Sequence, residues 1–296
     1  MKTPCGVTFV LLCSIGCAGG SDAPACAHDS DCASGFCKLD GTCAAAVDAD
    51  PALDTAPGID APPSGACTPD HDGAVTRAEL PLIAGRMATF RVASNATFDT
   101  TGTAAANNLR HWDLTAQLTG DQDRAVALLA PTGTWWAAKF PDATYATTLA
   151  ADSTLVGVFR VTDTAVSLLG VVSPEGGSAR TELKYDPPAT VLQLPVRAGA
   201  TWSSTSTVSG IAQGIAAFYG ETYASTVDQV GTMTTPYGEF PVLRVATDLN
   251  RGSGALTQRT FGWLSECFGT VATVSSQHYE TRAEFSNPLE VRRLAP

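Results

Sequence analysis

The sequence predicts a mainly β protein: one large, curved antiparallel sheet of sandwich or half-barrel type, preceded by a small disulfide-rich module and a disordered linker. Three observations predict it. From residue 67 onward, short runs rich in Val and Thr alternate apolar and polar side chains, the period of a half-buried strand. Clusters of Gly, Pro and Asn separate those runs at close intervals, as turns require. Charged residues make up only 16% of the chain and lysines are few, which leaves little from which to build the solvated face of a helix.

The chain opens on an export signal. Lys2 supplies a short basic region, and Val7 to Ile15 is apolar but too short to span a bilayer. Residues 1–16 are therefore read as a signal peptide. Ser14-Ile15-Gly16-Cys17 resembles a bacterial lipobox, with Ser14 where Leu is usual. That resemblance implies cleavage before Cys17 and lipidation of its thiol, with several acyl chains on one residue and so a stable membrane anchor. Ala18 after the Cys favours the outer membrane by the same resemblance. Plain secretion, with cleavage near Ala18-Gly19-Gly20, is the alternative.

Cysteine arithmetic supports an oxidising compartment. Of nine cysteines, Cys5 and Cys13 leave with the signal and Cys17 takes lipid, so six remain, an even number. Cys26, Cys32, Cys37 and Cys43 lie in CAHDSDCASGFCKLDGTC. This stretch has too little apolar surface for a core, so bridges must hold it. It resembles small Dickkopf-N-like or EGF-like Cys-rich modules, and residues 17–43 are assigned to it. Cys26–Cys37 with Cys32–Cys43 is one of three connectivities. A zinc site is the competing reading, although zinc sites favour closer Cys pairs and His28 is the only imidazole nearby. Cys67 and Cys267 are then left to each other. Residues 44–66, AAAVDADPALDTAPGIDAPPSGA, lack bulky apolar groups and are expected to be a disordered spacer.

Thr68 to Glu79, TPDHDGAVTRAE, resembles a single EF-hand loop. The resemblance places Asp70 and Asp72 at its third and fifth positions, Gly73 at the sharp turn, the Ala74 carbonyl next, Val75 at the β contact and Glu79 as the closing carboxylate. It implies calcium, a hard cation that takes six to eight oxygens. Thr68 stands where Asp is usual, Pro69 is foreign to the pattern, and Pro81 stops any outgoing helix. The bland alternative is a turn capped by Thr76 and Glu79 as S/T-x-x-E.

Within 67–296, a domain that either is single or divides near residue 150, strands are expected at 88–94, 111–118, 154–162, 165–172, 180–185, 201–208, 227–234, 240–249, 257–264, 271–275 and 291–294. Leu243, Val245, Thr247 and Leu249 share one face, and Phe261 and Trp263 share another. Turns are expected at Pro174 to Gly177, Pro187-Pro188, Pro236 to Gly238 and 250–254, with one short helix over Gln122 to Ala130. The Gly-Xaa-Phe turn, Val-Leu-Arg-Val strand and Phe-Gly-Xaa-Val run of residues 227–276, with Leu194-Pro195, Gly199 and Trp202 before them, resemble the C-terminal repeat of TapB-like bacterial envelope proteins. Glu266-Cys267 departs from it. The resemblance implies a fold and a compartment and no reaction.

The function classes narrow accordingly. A net charge of −11 disfavours nucleic acid, whose phosphates need a basic stripe. No G-x-S-x-G, H-E-x-x-H, P-loop or G-x-G-x-x-G motif occurs, and no catalytic residue is nominated. His111 and His278 read as surface imidazoles, and Asp99, Asp113, Asp121 and Asp123 as turn or edge residues. Trp135-Trp136 beside Phe140 suggests an aromatic platform for a glycan or lipid, with one Trp in the core. The expected function is a non-enzymatic, lipid-anchored envelope protein that binds or supports an unknown ligand, hydrophobic or glycan. A hydrophobic carrier would show a deep apolar pocket under Trp202, Phe240 and Trp263. The alternatives are a calcium-binding surface protein using residues 68–79, with Asp70, Asp72, Ala74 and Glu79 as ligands, and an unrecognised hydrolase.

Overall fold

The computed structural model describes residues 67–252 and 255–296. The expected signal, the lipidated Cys17, the module holding Cys26, Cys32, Cys37 and Cys43, and the linker lie outside the described residues. The strands are β1 (Ala74–Val75), β2 (Met87–Ser94), β3 (Thr103–Ala104), β4 (Arg110–Asp113), β5 (Gln122–Ala127), β6 (Tyr145–Thr148), β7 (Val156–Val161), β8 (Ala165–Val172), β9 (Glu182–Gln193), β10 (Val196–Arg197), β11 (Thr201–Ala212), β12 (Ile215–Thr234), β13 (Glu239–Arg251), β14 (Leu256–Ser265), β15 (Gly269–Ser275) and β16 (Glu290–Ala295). The helical elements among the described residues are short 3-10 turns.

Twelve strands form one antiparallel path, β5-β2-β16-β15-β14-β13-β12-β11-β9-β8-β7-β6. Its two ends meet. Leu129, just past β5, exchanges both backbone hydrogen bonds with Ala146 of β6, at 2.7 and 2.9 Å. The sheet is thus a nearly closed barrel. One apolar cluster collects Tyr145, Phe159, Leu168 and Tyr185 from β6 to β9 together with Val227, Leu243, Val245 and Leu264 from β12 to β14. Only a sheet that rolls round brings those distant strands together. The other face of β13 and β14 carries Phe240, Val242, Phe261 and Trp263, covered by Trp112 of β4 and Leu114.

Several expectations are corrected. Gln122 to Ala127 is strand β5, paired with β2 and tied to it by Arg91 to Asp123 at 2.9 Å, because a helix that short gains less than an edge place in the closing sheet. Pro187-Pro188 is no turn. Both lie within β9, past the end of its β11 ladder at Asp186 and in the irregular gap of its β8 ladder between Lys184 and Ala189, so no ladder bond is lost to the missing N–H groups. The strand expected at 111–118 ends at Asp113. It runs parallel to β12, so close that the Arg110 carbonyl occupies the space a Cβ at Gly231 would need. The region near 150 is a turn between the neighbouring strands β6 and β7.

Two buried guanidiniums tie the loops to the sheet. Arg244 of β13 donates to both oxygens of Asp228 at 2.9 and 2.7 Å, both oxygens of Glu284 at 3.1 and 2.6 Å, and the Thr100 carbonyl at 2.7 Å. That uses all five of its donors. Its cation lies 4.2 Å from the Phe261 ring centre and 5.5 Å from that of Trp112. Asp228 reaches it because a bulge in β12, between Val227 and Gln229, frees that residue from the ladder. Arg293 of β16 makes a bidentate pair with Asp121 and also donates to the carbonyls of Leu114, Ala116 and Arg91. Asp121, expected as a turn or edge residue, closes a turn on Leu118 and is also a buried ion-pair partner. Arg244→Met keeps the apolar contacts but strips Asp228, Glu284 and the Thr100 carbonyl of their donor. It is expected to cost about 3 kcal/mol, as for a broken buried pair, read as a lower urea midpoint at unchanged m value.

Candidate functional site

Residues 67–81 pack across the turn between β14 and β15. The bridge Cys67–Cys267 closes 200 residues of sequence. The Cys267 N–H donates to the Glu79 carbonyl at 2.9 Å, and β1 pairs with β10 through Ala74 opposite Arg197 and Val75 opposite Val196. The β contact expected of Val75 is thus made, to a partner strand of two residues. Gly73 takes φ 80° and His71 φ 53°, the left-handed conformations that turn the chain sharply between Asp70 and Ala74.

This corner gathers three carboxylates. Oxygens of Asp70, Glu79 and Glu266 lie within 4.8 Å of one another. Two of the three were nominated from the sequence. Glu266 was not, and it arrives because the disulfide at Cys267 carries its neighbour into the loop. Asp72 takes no part in the cluster. It accepts the Ala74 N–H at 2.7 Å and faces Arg197 at 3.7 Å. The Glu79 carboxylate accepts from the Thr76 N–H at 2.8 Å and the Thr76 hydroxyl at 2.7 Å, so the capped turn is formed as well. The His71 N–H donates to Glu266 at 3.0 Å.

Glu79 and Glu266 are buried and Asp70 is exposed. Burial pushes the Glu266 carboxyl above the ordinary glutamate range; the His71 N–H opposes this, and the Glu79 and Asp70 charges add to it. A cation, or the loss of one charge, would relieve that crowding.

The other nominated residues lie elsewhere. His111 meets the Thr232 hydroxyl at 2.8 Å across the β4–β12 pair, and the His278 ring lies edge-on to Tyr279. Trp136 is buried edge-on to Phe140. Trp135 donates to the Ser173 carbonyl and lies under Arg180, so the tandem forms no open aromatic platform. Trp202 belongs with the barrel-core cluster, whereas Phe240 and Trp263 lie in the cluster on the opposite sheet face; the three do not line one pocket. An open groove instead crosses β11 to β14 over Thr201, Ser203, Ala224, Asp248, Arg259 and Glu284. Its charges are largely matched, Arg259 binding both oxygens of Asp248 at 2.7 Å.

Comparison with known proteins found no matching family model, no similar curated protein and no similar solved structure. The family resemblances rest on short motifs alone.

In chelator, Glu266→Gln is expected to raise the thermal midpoint of the protein. It removes one of three crowded charges and keeps an oxygen for the His71 N–H. A lowered midpoint in differential scanning calorimetry would count against the crowding argument.

Proposed function

We propose that the chain is a non-enzymatic, lipid-anchored cell-envelope protein whose β domain serves as a binding or structural module. The observation that carries this reading is the Cys67–Cys267 bridge, a link that persists in oxidising compartments. It agrees with the export signal and lipobox read from residues 1–17. In the chain-entropy picture a loop of this length constrains the unfolded state by up to ~5 kcal/mol. The hydroxyl-lined groove across β11 to β14 is the surface on which a glycan or other polymeric ligand would rest. Metabolic labelling with palmitate in a bacterial host tests the anchor. Label is expected on the wild-type chain and is expected to vanish with Cys17→Ser; equal labelling of both defeats the anchor assignment.

A second reading is favoured by the three carboxylates at the disulfide corner. Asp70, Glu79 and Glu266 would hold a calcium ion, with the Ala74 carbonyl the nearest backbone oxygen that the loop pattern nominates. Glu266 would supply the charge that Thr68 does not. Bound calcium would then staple the same two segments as the disulfide. An affinity like that of extracellular calcium modules, at about ten times the dissociation constant, stabilises by about 1.4 kcal/mol, or roughly 3–6 °C for a domain of this size. A rise of that order in millimolar calcium is expected for the wild type and not for Glu79→Gln or Glu266→Gln. An unchanged wild-type midpoint leaves the corner as a capped turn.

A further inference from the structure

The hairpin of β11 and β12 runs past the sheet that supports it. The two strands pair without interruption from Thr201 opposite Thr226 to Ala212 opposite Ile215, round a turn at Gln213 and Gly214, both at positive φ. On its far side β11 is covered by β9 as far as Ile211. β12 is not so covered, because β13 meets it only from Glu221, opposite Arg251, onward. Among the described residues no strand lies against that side of Ile215–Gly220. Among the described residues its outward N–H and C=O groups thus have no strand partner. The devices by which a strand's own residues usually guard an edge are missing from it. The segment has no lysine, proline or bulge, and no charged residue occurs between Arg197 and Glu221. Ile215 and Phe218 are 73% and 80% exposed, on opposite faces of the strand as alternation dictates.

A bilayer would cover both faces but would leave the edge's polar groups without partners in hydrocarbon. An added strand covers the edge and borders both faces. We propose that this edge is completed by the same segment of a second copy of the chain, antiparallel, about a two-fold axis at Ala217.

The register follows from geometry. A two-fold axis normal to a sheet preserves its faces, so one residue must lie opposite its own counterpart. With Ala217 on the axis, Ala216 lies opposite Phe218 of the second copy, Ile215 opposite Tyr219, and Gly214 opposite Gly220. Each Phe218 then has a small residue beside it, and no charge faces a like charge. Moving the axis to Phe218 would bring Ile215 against Glu221, whose outward side already belongs to Arg251. Moving it to Ala216 shortens the pairing. With the axis at Ala217, the Gln213-Gly214 turn of each copy ends where the β13 ladder of the other begins.

Sedimentation velocity on the full chain carrying Cys17→Ser, which removes the expected acyl anchor, tests this. A concentration-dependent monomer–dimer equilibrium is expected. Phe218→Lys places a charge at the edge and is expected to weaken dimerisation roughly tenfold or more, at an unchanged thermal midpoint because that side chain is exposed. Ala217→Cys is expected to give a reducible covalent dimer, and Thr207→Cys on β11 of the same hairpin is not. A chain that stays monomeric throughout overturns the proposal. So does a dimer that Phe218→Lys leaves intact or that Ala217→Cys does not cross-link. Phe218-dependent binding of a monomer to phosphatidylcholine vesicles also overturns it, and assigns the tip to a membrane instead.

Discussion

The guanidinium of Arg244 is the interaction on which much of the domain depends. A charge that is 1% exposed is tolerable only when every donor is matched and an opposite charge is close. Meeting that demand fixes three separate pieces of chain. The bulge in β12 must present Asp228, the segment at 284 must present its carboxylate, and the Thr100 carbonyl must turn inward. Thr100 itself is fully buried and extends the network, giving its hydroxyl to Glu284 and accepting from the Phe285 N–H and the Trp112 indole. The aromatic cluster around Trp112, Phe261 and Trp263 is thereby closed over one face of the sheet.

Arg293 with Asp121 repeats the device one strand away from β2, holding the segment 114–121 over β16. Glu221 and Arg251 repeat it at the end of the β12–β13 ladder, where Glu221 also accepts from the Tyr223 hydroxyl at 2.7 Å. Charges are scarce in this sequence, and many of those in the sheet are used to pin loops or strand ends. The corner at Cys67 and Cys267 differs. There three carboxylates meet, with the His71 imidazole 3.6 Å from Glu266, which is why it, rather than the ion pairs of the sheet, stands as the candidate site.

Rolling the sheet nearly shut and leaving part of one long hairpin uncovered are two outcomes of the same strand lengths. β12 spans Ile215–Thr234 while β13 spans Glu239–Arg251, so the longer strand must overhang. The overhang is also the stretch without charge. Length and composition thus coincide at this segment.

The sequence by itself determined the class of the fold and most of its strands. The period-two faces of Leu243 and Val245 and of Phe261 and Trp263, the turn at Pro236 to Gly238 and the run Ala165–Val172 are local patterns, and local patterning survives folding unchanged. The bond between Cys67 and Cys267 was legible because cysteine pairing can be counted. The loop carboxylates Asp70 and Glu79 were legible because a turn places near neighbours in sequence together. Only the tertiary structure decided the rest. Gln122 to Ala127 became a strand because the sheet had an edge to fill, and Pro187-Pro188 stayed within β9 because the β11 ladder has ended and the β8 ladder is interrupted there. Glu266 joined Asp70 and Glu79 across nearly 200 residues of chain, and Asp228 and Glu284 met at Arg244, because closing a twelve-strand sheet brings together residues whose proximity no local pattern encodes.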